Sequence, residues 1–430
     1  MNICVIKPSL FGERTKDAMP PLLFAILKPL TPPDIILTFI DENIEHVPRD
    51  ALFDAAAISI DTFTARRGYI LAAQFRKRGI PVIIGGIHAT LRPDEVSEHA
   101  DSVIVGEAED TWRRVLKDFC GGVLKPRYVS ANNADLESVL YDYSIFAGKK
   151  YNPIWVVQFS RGCKFSCDFC SIRALHGNTL RTRSAATVAE TMKHLPRKLF
   201  LFADDNLFSG PGLNGLLTAI EPLKRQWACQ ISIDAAKDFE FLRRLRRSGC
   251  VVVLVGFESL NADNLRQMKK SANLAADYET VIANIHRAGL MIYGTFVIGY
   301  DADTSETALE LAAFAKKHRF AVANFNPLIP TPGTELYARL ESEGRLIYDS
   351  WWIAPEFCYG DTAFRPKGMT PRQLAESCRL ARYSFYSFRG VTSRLRGVNI
   401  RNLFNFRIYL IVNIISGISI RQKQGRRPSE

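Results

Sequence analysis

"IWVVQFSRGCKFSCDFC" (Ile154–Cys170) runs from a β-branched, aromatic strand pattern straight into three cysteines, Cys163, Cys167 and Cys170, while the other six cysteines of the chain are scattered singly. The apolar run reads as a strand, and the cysteines fall just past its end. Working outward, "LFLFAD", "CQISID", "VVVLVGFES", "MIYGTFVIGY" and "VANFNPLIP" repeat the strand pattern. Helix-like stretches such as "TVAETMKHL" and "DYETVIANIHRAG" separate the six runs. Regular βα alternation predicts a parallel, barrel-like sheet, and six strands are fewer than the eight that close a full barrel. The expected unit is an open partial (βα)6 barrel over residues 151–335, with the cysteine loop at a strand's carboxyl end, where such folds place their chemistry.

Upstream, "NICVIK", "DIILTFID", "AAAISIDT", "PVIIGGIHA" and "DSVIVGEAE" are five further short strands alternating with helical patterns. They predict a doubly wound, Rossmann-like parallel sheet over residues 1–130, joined by a polar connector at 131–150. Residues 336–430 read as a mostly helical C-terminal region with a basic tail. The whole is an α/β chain.

Composition narrows the context. Of 430 residues, 47% are apolar and 23% charged, ordinary values for a folded globule with a sizeable core. The start, MNICVIKPSLFGER, does not read as a secretory signal, so a cytoplasmic chain is expected, where thiolates ligate metals rather than pair. The net charge of +12 favours anionic partners. Between Arg379 and Arg427 stand eleven Lys or Arg and no acid, around the apolar "IYLIVNIISGISI". At thirteen residues this run falls short of the roughly eighteen to twenty needed to span a membrane, which leaves two readings of the tail: a segment packed on the protein body with solvated arginines, or peripheral contact with an anionic membrane.

Three cysteines so placed suit a zinc knuckle, a disulfide staple or an iron–sulfur site. Zinc wants four ligands, and only Cys167 and Cys170 form a Cys-x-x-Cys pair; His176 would have to be recruited as the fourth. An odd count of nine cysteines argues against a disulfide framework. Three thiolates can hold three irons of a 4Fe–4S cubane and leave the fourth iron open. Cys-x-x-x-Cys-x-aromatic-Cys, here Cys163, Cys167, Phe169 and Cys170, resembles the signature of radical S-adenosylmethionine (SAM) enzymes, whose fold is a partial six-unit barrel.

That resemblance implies a 4Fe–4S cluster on Cys163, Cys167 and Cys170, SAM on the open iron, and an external reductant such as flavodoxin or ferredoxin. Reductive cleavage of SAM would give a 5′-deoxyadenosyl radical that takes hydrogen from an unactivated carbon. Phe169 would lie beside the adenine. Asp204, Asp205 and Asn206 of "FADDNLF" would accept from the methionyl ammonium, and Glu258 of "GFESL" would meet polar groups of SAM, as would Gln230, Ser232 and Asp234 of "QISID". The segment "PLIPTPGTELY" would border the substrate.

Residues 83–112, with "GGIHAT" after a strand, are similar to the N-terminal domain of the cobalamin-binding branch of these enzymes, which includes methyltransferases acting on unactivated carbons. The resemblance implies that Gly85 and Gly86 admit a corrin and makes His88 the candidate cobalt ligand, although no His stands in an Asp-x-His-x-x-Gly pattern. The expected activity is cobalamin-dependent C-methylation of a small or lipid-like substrate. Radical cyclisation, rearrangement or oxidation with a degenerate N-terminal domain is the alternative. A methylthiotransferase acting on nucleic acid would add three N-terminal cysteines, and here only Cys4 and Cys120 are present, so nucleic acid is not the expected partner. A non-catalytic cluster protein would have lost the SAM-contacting residues. In "YDSWWIAPEFCYGDTAF", Trp351, Trp352 and Phe357 either form an ordinary packing segment or wall an apolar substrate pocket.

Overall fold

The structure, a computed structural model, describes the whole chain except Arg49, Asn132, Asn178, Arg197 and residues 396–401 and 429–430. Two compact units are formed: Met1–Asn152 with Ser350–Phe357 and Arg427–Glu430, and Pro153–Asp349 with Cys358–Arg426.

The first unit is built on β1 (Asn2–Lys7), β2 (Ile36–Asp41), β3 (Ala55–Ser59), β4 (Val82–Gly85), β5 (Ser102–Val105) and β6 (Arg127–Val129). They lie in the order β2-β1-β3-β4-β5-β6, every pairing parallel. The order reverses between β1 and β3, the switch point at which open α/β sheets leave a crevice. Sequence patterning points to five strands; β6 is the addition. Its three residues, RYV, carry no alternation long enough to read, and pairing with β5 at the sheet edge makes them a strand.

In the second unit the strands are β7 (Ile154–Val157), a short antiparallel ribbon β8 (Ser160–Arg161) and β9 (Arg181–Thr182), then β10 (Leu199–Phe202), β11 (Trp227–Ile231), β12 (Cys250–Glu258), β13 (Met291–Ile298) and β14 (Val322–Pro327). The main sheet runs β7-β10-β11-β12-β13-β14, all parallel and in chain order, so each βα unit adds at the same edge, as in a barrel. Among the described residues no pairing joins β14 back to β7: the barrel is open. Both faces are covered, which is why β12 reads CVVVLVGFE with almost no polar alternation. Phe257, Phe296, Phe320 and Phe325 are buried and stack with centroids 4.8–6.2 Å apart. Each contributes roughly 2–3 kcal/mol by leaving water.

After the barrel come helices Glu335–Ser342, Pro371–Phe385, Phe388–Ser393 and Leu403–Lys423. The last extends the thirteen-residue apolar run to 21 residues, because Asn402 caps its N-terminus by accepting from Phe404 and Asn405 N–H, and the chain leaves through Gly425 at φ 74°. By length and composition alone this helix could cross a membrane.

Candidate functional site

At the carboxyl ends of the barrel strands lies a cavity of about 340 Å³ bordered by Cys163, Cys167, Phe169, Cys170, Asp205, Asn206, Ser232 and Glu258. Its construction begins with the turn after β7. Gly162 adopts φ 98°, and a Cβ there would stand 2.0 Å from Thr179 O, so only glycine lets the chain enter the cysteine loop beside β9. Asp205 Oδ2 accepts the Gly162 N–H at 2.8 Å. Asp204 is fully committed beneath it: its carboxylate accepts from Phe159 N–H (3.1 Å), Ser160 N–H and Ser160 Oγ–H (2.5 Å). Burial nevertheless pushes the Asp204 carboxyl up to about 7. Of the acidic pair, Asp205 and the neighbouring Asn206 border the cavity, whereas Asp204 fastens the loop.

Asn206 bridges two elements, donating through Nδ2 to Cys163 Sγ (3.9 Å) and accepting the Ser232 N–H (3.1 Å). Within the motif, Cys170 N–H bonds Cys167 O, closing a turn. Asp168 points away from the cysteines into the protein, where its carboxylate accepts from Tyr300 OH at 2.6 Å with Arg339 3.6 Å away. Its backbone is tied at both ends, Asp168 N–H to Met268 O and Leu336 N–H to Asp168 O. The segment after β14 thus braces the cysteine loop through Leu336. Gln230 also borders the cavity, but Asp234 pairs with Lys164 at 2.9 Å instead.

Glu258 reaches the cavity through a backbone irregularity. The β12–β13 register slips between Gly256 and Glu258, and Glu258 itself has φ 63°, a strained value for a side-chain-bearing residue. Asn273 holds this bulge by donating to Gly256 O and Phe257 O, and Tyr278 OH donates to Phe257 O. Lys270 Nζ then meets Glu258 Oε1 at 2.8 Å and stands 5.6 Å from the Phe169 ring centroid. Burial works against its charge, but Glu258 and the nearby thiols outweigh that and raise its pKa above the ordinary range for lysine. Lys270 and Asn273 line the cavity and were not legible as site residues. They come from "KKSAN", a polar stretch that becomes informative only once the bulge at Glu258 is seen.

Do these residues fit a cluster? Burial raises the Cys167 thiol to about 11 and Cys170 upward, so iron would displace protons on binding. A cubane with one open iron takes three thiolates, and the three cysteines border one cavity, so the residues present fit such a cluster.

The N-terminal sheet ends otherwise. His88 is fully buried, with Nδ1 3.2 Å from Thr62 Oγ1 and Nε2 3.2 Å from Glu95 Oε1. Both ring nitrogens are occupied, so in this arrangement His88 offers cobalt no ligand atom. Gly86, at φ 102°, is required because a Cβ would lie 2.5 Å from Ile60 O. Gly85 is half-buried beside Ile104. The exposed apolar groups at these strand ends are Phe63 and Ile87. Glu95 also accepts from Tyr69 OH (2.7 Å) and Trp352 Nε1–H (2.9 Å). Burial would raise its pKa, but the bonds from His88, Trp352 and Tyr69 prevail and hold it down to about 2. Trp351, Trp352 and Phe357 do not border the barrel cavity. They are buried in the first unit, Trp351 edge-on to Phe63 at 5.1 Å and Trp352 edge-on to His88 at 5.3 Å.

Residues 157–315 match the family model of the radical SAM superfamily. The chain is 30% identical over 356 residues to bacteriochlorophyllide d C-8(2)-methyltransferase of Chlorobaculum tepidum, covering 77% of this chain and 78% of that protein. It is 29% identical over 375 residues to the C-12(1)-methyltransferase of the same organism, covering 84% and 81%. A solved cobalamin-dependent SAM radical enzyme, OxsB, shares the fold with a TM-score of 0.66 at 11% identity, covering 98% of this chain and 72% of that one. Fold and site thus define a radical SAM enzyme, with a 4Fe–4S cluster and SAM as its cofactors. The chain belongs to the radical SAM superfamily, in the branch where a cobalamin-binding type of sheet precedes the barrel and whose relatives are methyltransferases.

Proposed function

We propose that the enzyme methylates an unactivated carbon of an amphiphilic, tetrapyrrole-like substrate with the help of cobalamin. The observation that carries the reading is the match to two bacteriochlorophyllide methyltransferases across both units rather than across the barrel alone. When bound and reduced, the cluster and SAM supply a hydrogen-abstracting 5′-deoxyadenosyl radical, and cobalamin supplies a transferable methyl group.

The chain's own residues organise that chemistry. Cys163, Cys167 and Cys170 would ligate three irons; Asp205 and Asn206 would orient the methionyl ammonium, and Phe169 would stack on adenine. Glu258 and Lys270 provide opposite charges in one cavity, suited to the polar ribose and the methionyl carboxylate. Cobalamin would rest on the loops after β3 and β4, against Phe63 and Ile87, with Gly85 beside it and no imidazole ligand from His88. Flavodoxin or ferredoxin would reduce the cluster, in a reducing cytoplasm.

The test is anaerobic turnover of the reconstituted enzyme with SAM, reductant and a chlorophyllide-type tetrapyrrole. Methylated pigment formed with matching amounts of 5′-deoxyadenosine and S-adenosylhomocysteine supports the reading. Deoxyadenosine together with an oxidised or cyclised pigment lacking a new methyl would replace methylation with the cyclase reading.

A further inference from the structure

The 21-residue helix Leu403–Lys423 turns polar residues toward the protein and large apolar ones outward. Its polar residues Asn405, Tyr409 and Asn413, four apart and so on one face, are buried against the second unit. Arg394, also buried, donates to Asn413 Oδ1 (2.9 Å), Phe320 O (2.7 Å) and Ala321 O (2.9 Å). Asn413 Nδ2 donates to Ala321 O (3.0 Å), and Tyr409 OH to Val391 O (2.6 Å). The opposite face carries Leu403, Ile411 and Ile414, each more than half exposed. Arg407 and Arg421 are exposed on that same side by helical spacing. Only 17% of the helix's most apolar stretch is buried. Phe388, on the preceding helix, is 83% exposed.

We infer that this face docks on an anionic phospholipid bilayer, lying in its interface rather than crossing it. Crossing would require the Asn405–Tyr409–Asn413 face to give up its hydrogen bonds to Arg394, Ala321 and Val391. The same face of a second copy fits less well. It would set Arg407 and Arg421 against their own counterparts, in a segment with eleven basic residues and no acid between Arg379 and Arg427. Apolar residues that enter the acyl boundary, interleaved with arginines that meet anionic headgroups, are what a bilayer surface accommodates. Arg396 and Arg401 of that segment lie outside the described residues.

The experiment is co-sedimentation of the full-length, cluster-loaded protein with vesicles of phosphatidylcholine alone and of phosphatidylcholine with phosphatidylglycerol in equal parts. Wild type should bind the anionic vesicles at least about tenfold more tightly than the neutral ones, with the preference fading at high salt. Ile411→Glu with Ile414→Glu should lower binding about tenfold or more while SAM cleavage and far-ultraviolet dichroism stay unchanged, since both side chains face outward. Arg407→Gln with Arg421→Gln should remove most of the anionic preference and tests the same surface without touching its apolar residues. Wild type left in the supernatant with both vesicles, or either double variant binding like wild type, overturns the inference. So does light scattering that shows a dimer dissolved by Ile411→Glu with Ile414→Glu, because the face would then be a seam between copies.

Discussion

At the carboxyl ends of the barrel strands, Asp205, Asn206, Glu258 and Lys270 border an open cavity together with three thiols. At the carboxyl ends of the N-terminal strands, Thr62, His88 and Glu95 bond to one another and to Trp352. Both are ends of parallel sheets, where this topology places ligands. In the barrel the polar groups border open space. In the first unit they converge on each other, leaving Phe63 and Ile87 as the apolar surface beside them. The difference teaches that one end is built to coordinate and the other to support.

The largest effect that can break this contrast is loss of the cluster. Replacing Cys163, Cys167 or Cys170 with Ala should take iron from about four per chain to a small residue and abolish 5′-deoxyadenosine formation. Retention of both would remove the cysteine loop from the chemistry. Next comes the charged pair in the cavity. Lys270→Met leaves the Glu258 carboxylate buried without its partner, at roughly 3 kcal/mol, the low end for a broken buried pair because a fifth of the Lys270 side chain is exposed. SAM affinity, read by equilibrium dialysis, should fall about a hundredfold. Lys270→Met combined with Glu258→Gln should recover thermal stability but not SAM binding. Recovery of both would make the pair a packing feature.

A smaller effect is expected in the first unit. Trp352→Phe removes one donor to the Glu95 carboxylate while keeping an aromatic ring, and should cost about 1.5–2 kcal/mol in urea unfolding. Iron content and SAM cleavage should not change. If cleavage fails while the fold holds, Trp352 belongs to the reaction after all. The smallest effects are in pH dependence, and the two carboxylates run in opposite directions. Asp204 titrates near 7 in the fold and near 3.8 unfolded, so its contribution is fully present below about 4 and is lost as pH rises through 7. Glu95 titrates near 2 in the fold and near 4.5 unfolded, so its contribution is present above 4.5 and is lost as pH falls through 2. Unfolding profiles of Asp204→Asn and Glu95→Gln should each lose one of these slopes, and an unchanged profile would refute that assignment.

The contrast also explains what could be read beforehand. The cysteine spacing, the six barrel strands and Glu258 follow from residues close together in the chain, and the local pattern carries them. Asp204 and Asp205 look alike in sequence, yet one fastens the Phe159–Ser160 turn and the other borders the cavity, a division that shows only in the fold. Lys270 required knowledge of the bulge between Gly256 and Glu258. The Glu95–Trp352 bond joins residues 257 apart, from a segment that follows the barrel yet packs with the first unit, and no periodicity reports such a return. The Leu403–Lys423 helix was hidden for a related reason: its apolar count is visible, but which face turns inward is decided by Arg394.

The most direct test is to reconstitute the protein anaerobically with iron, sulfide and hydroxocobalamin, desalt it, and measure metal content together with the electron paramagnetic resonance of the cob(II)alamin state. About four irons and one cobalt per chain, with no nitrogen splitting on the cobalt signal, is the expected result: the barrel end coordinates, and the sheet end supports a corrin while His88 stays in its network. Nitrogen splitting that disappears in His88→Gln would contradict it, and so would iron without cobalt.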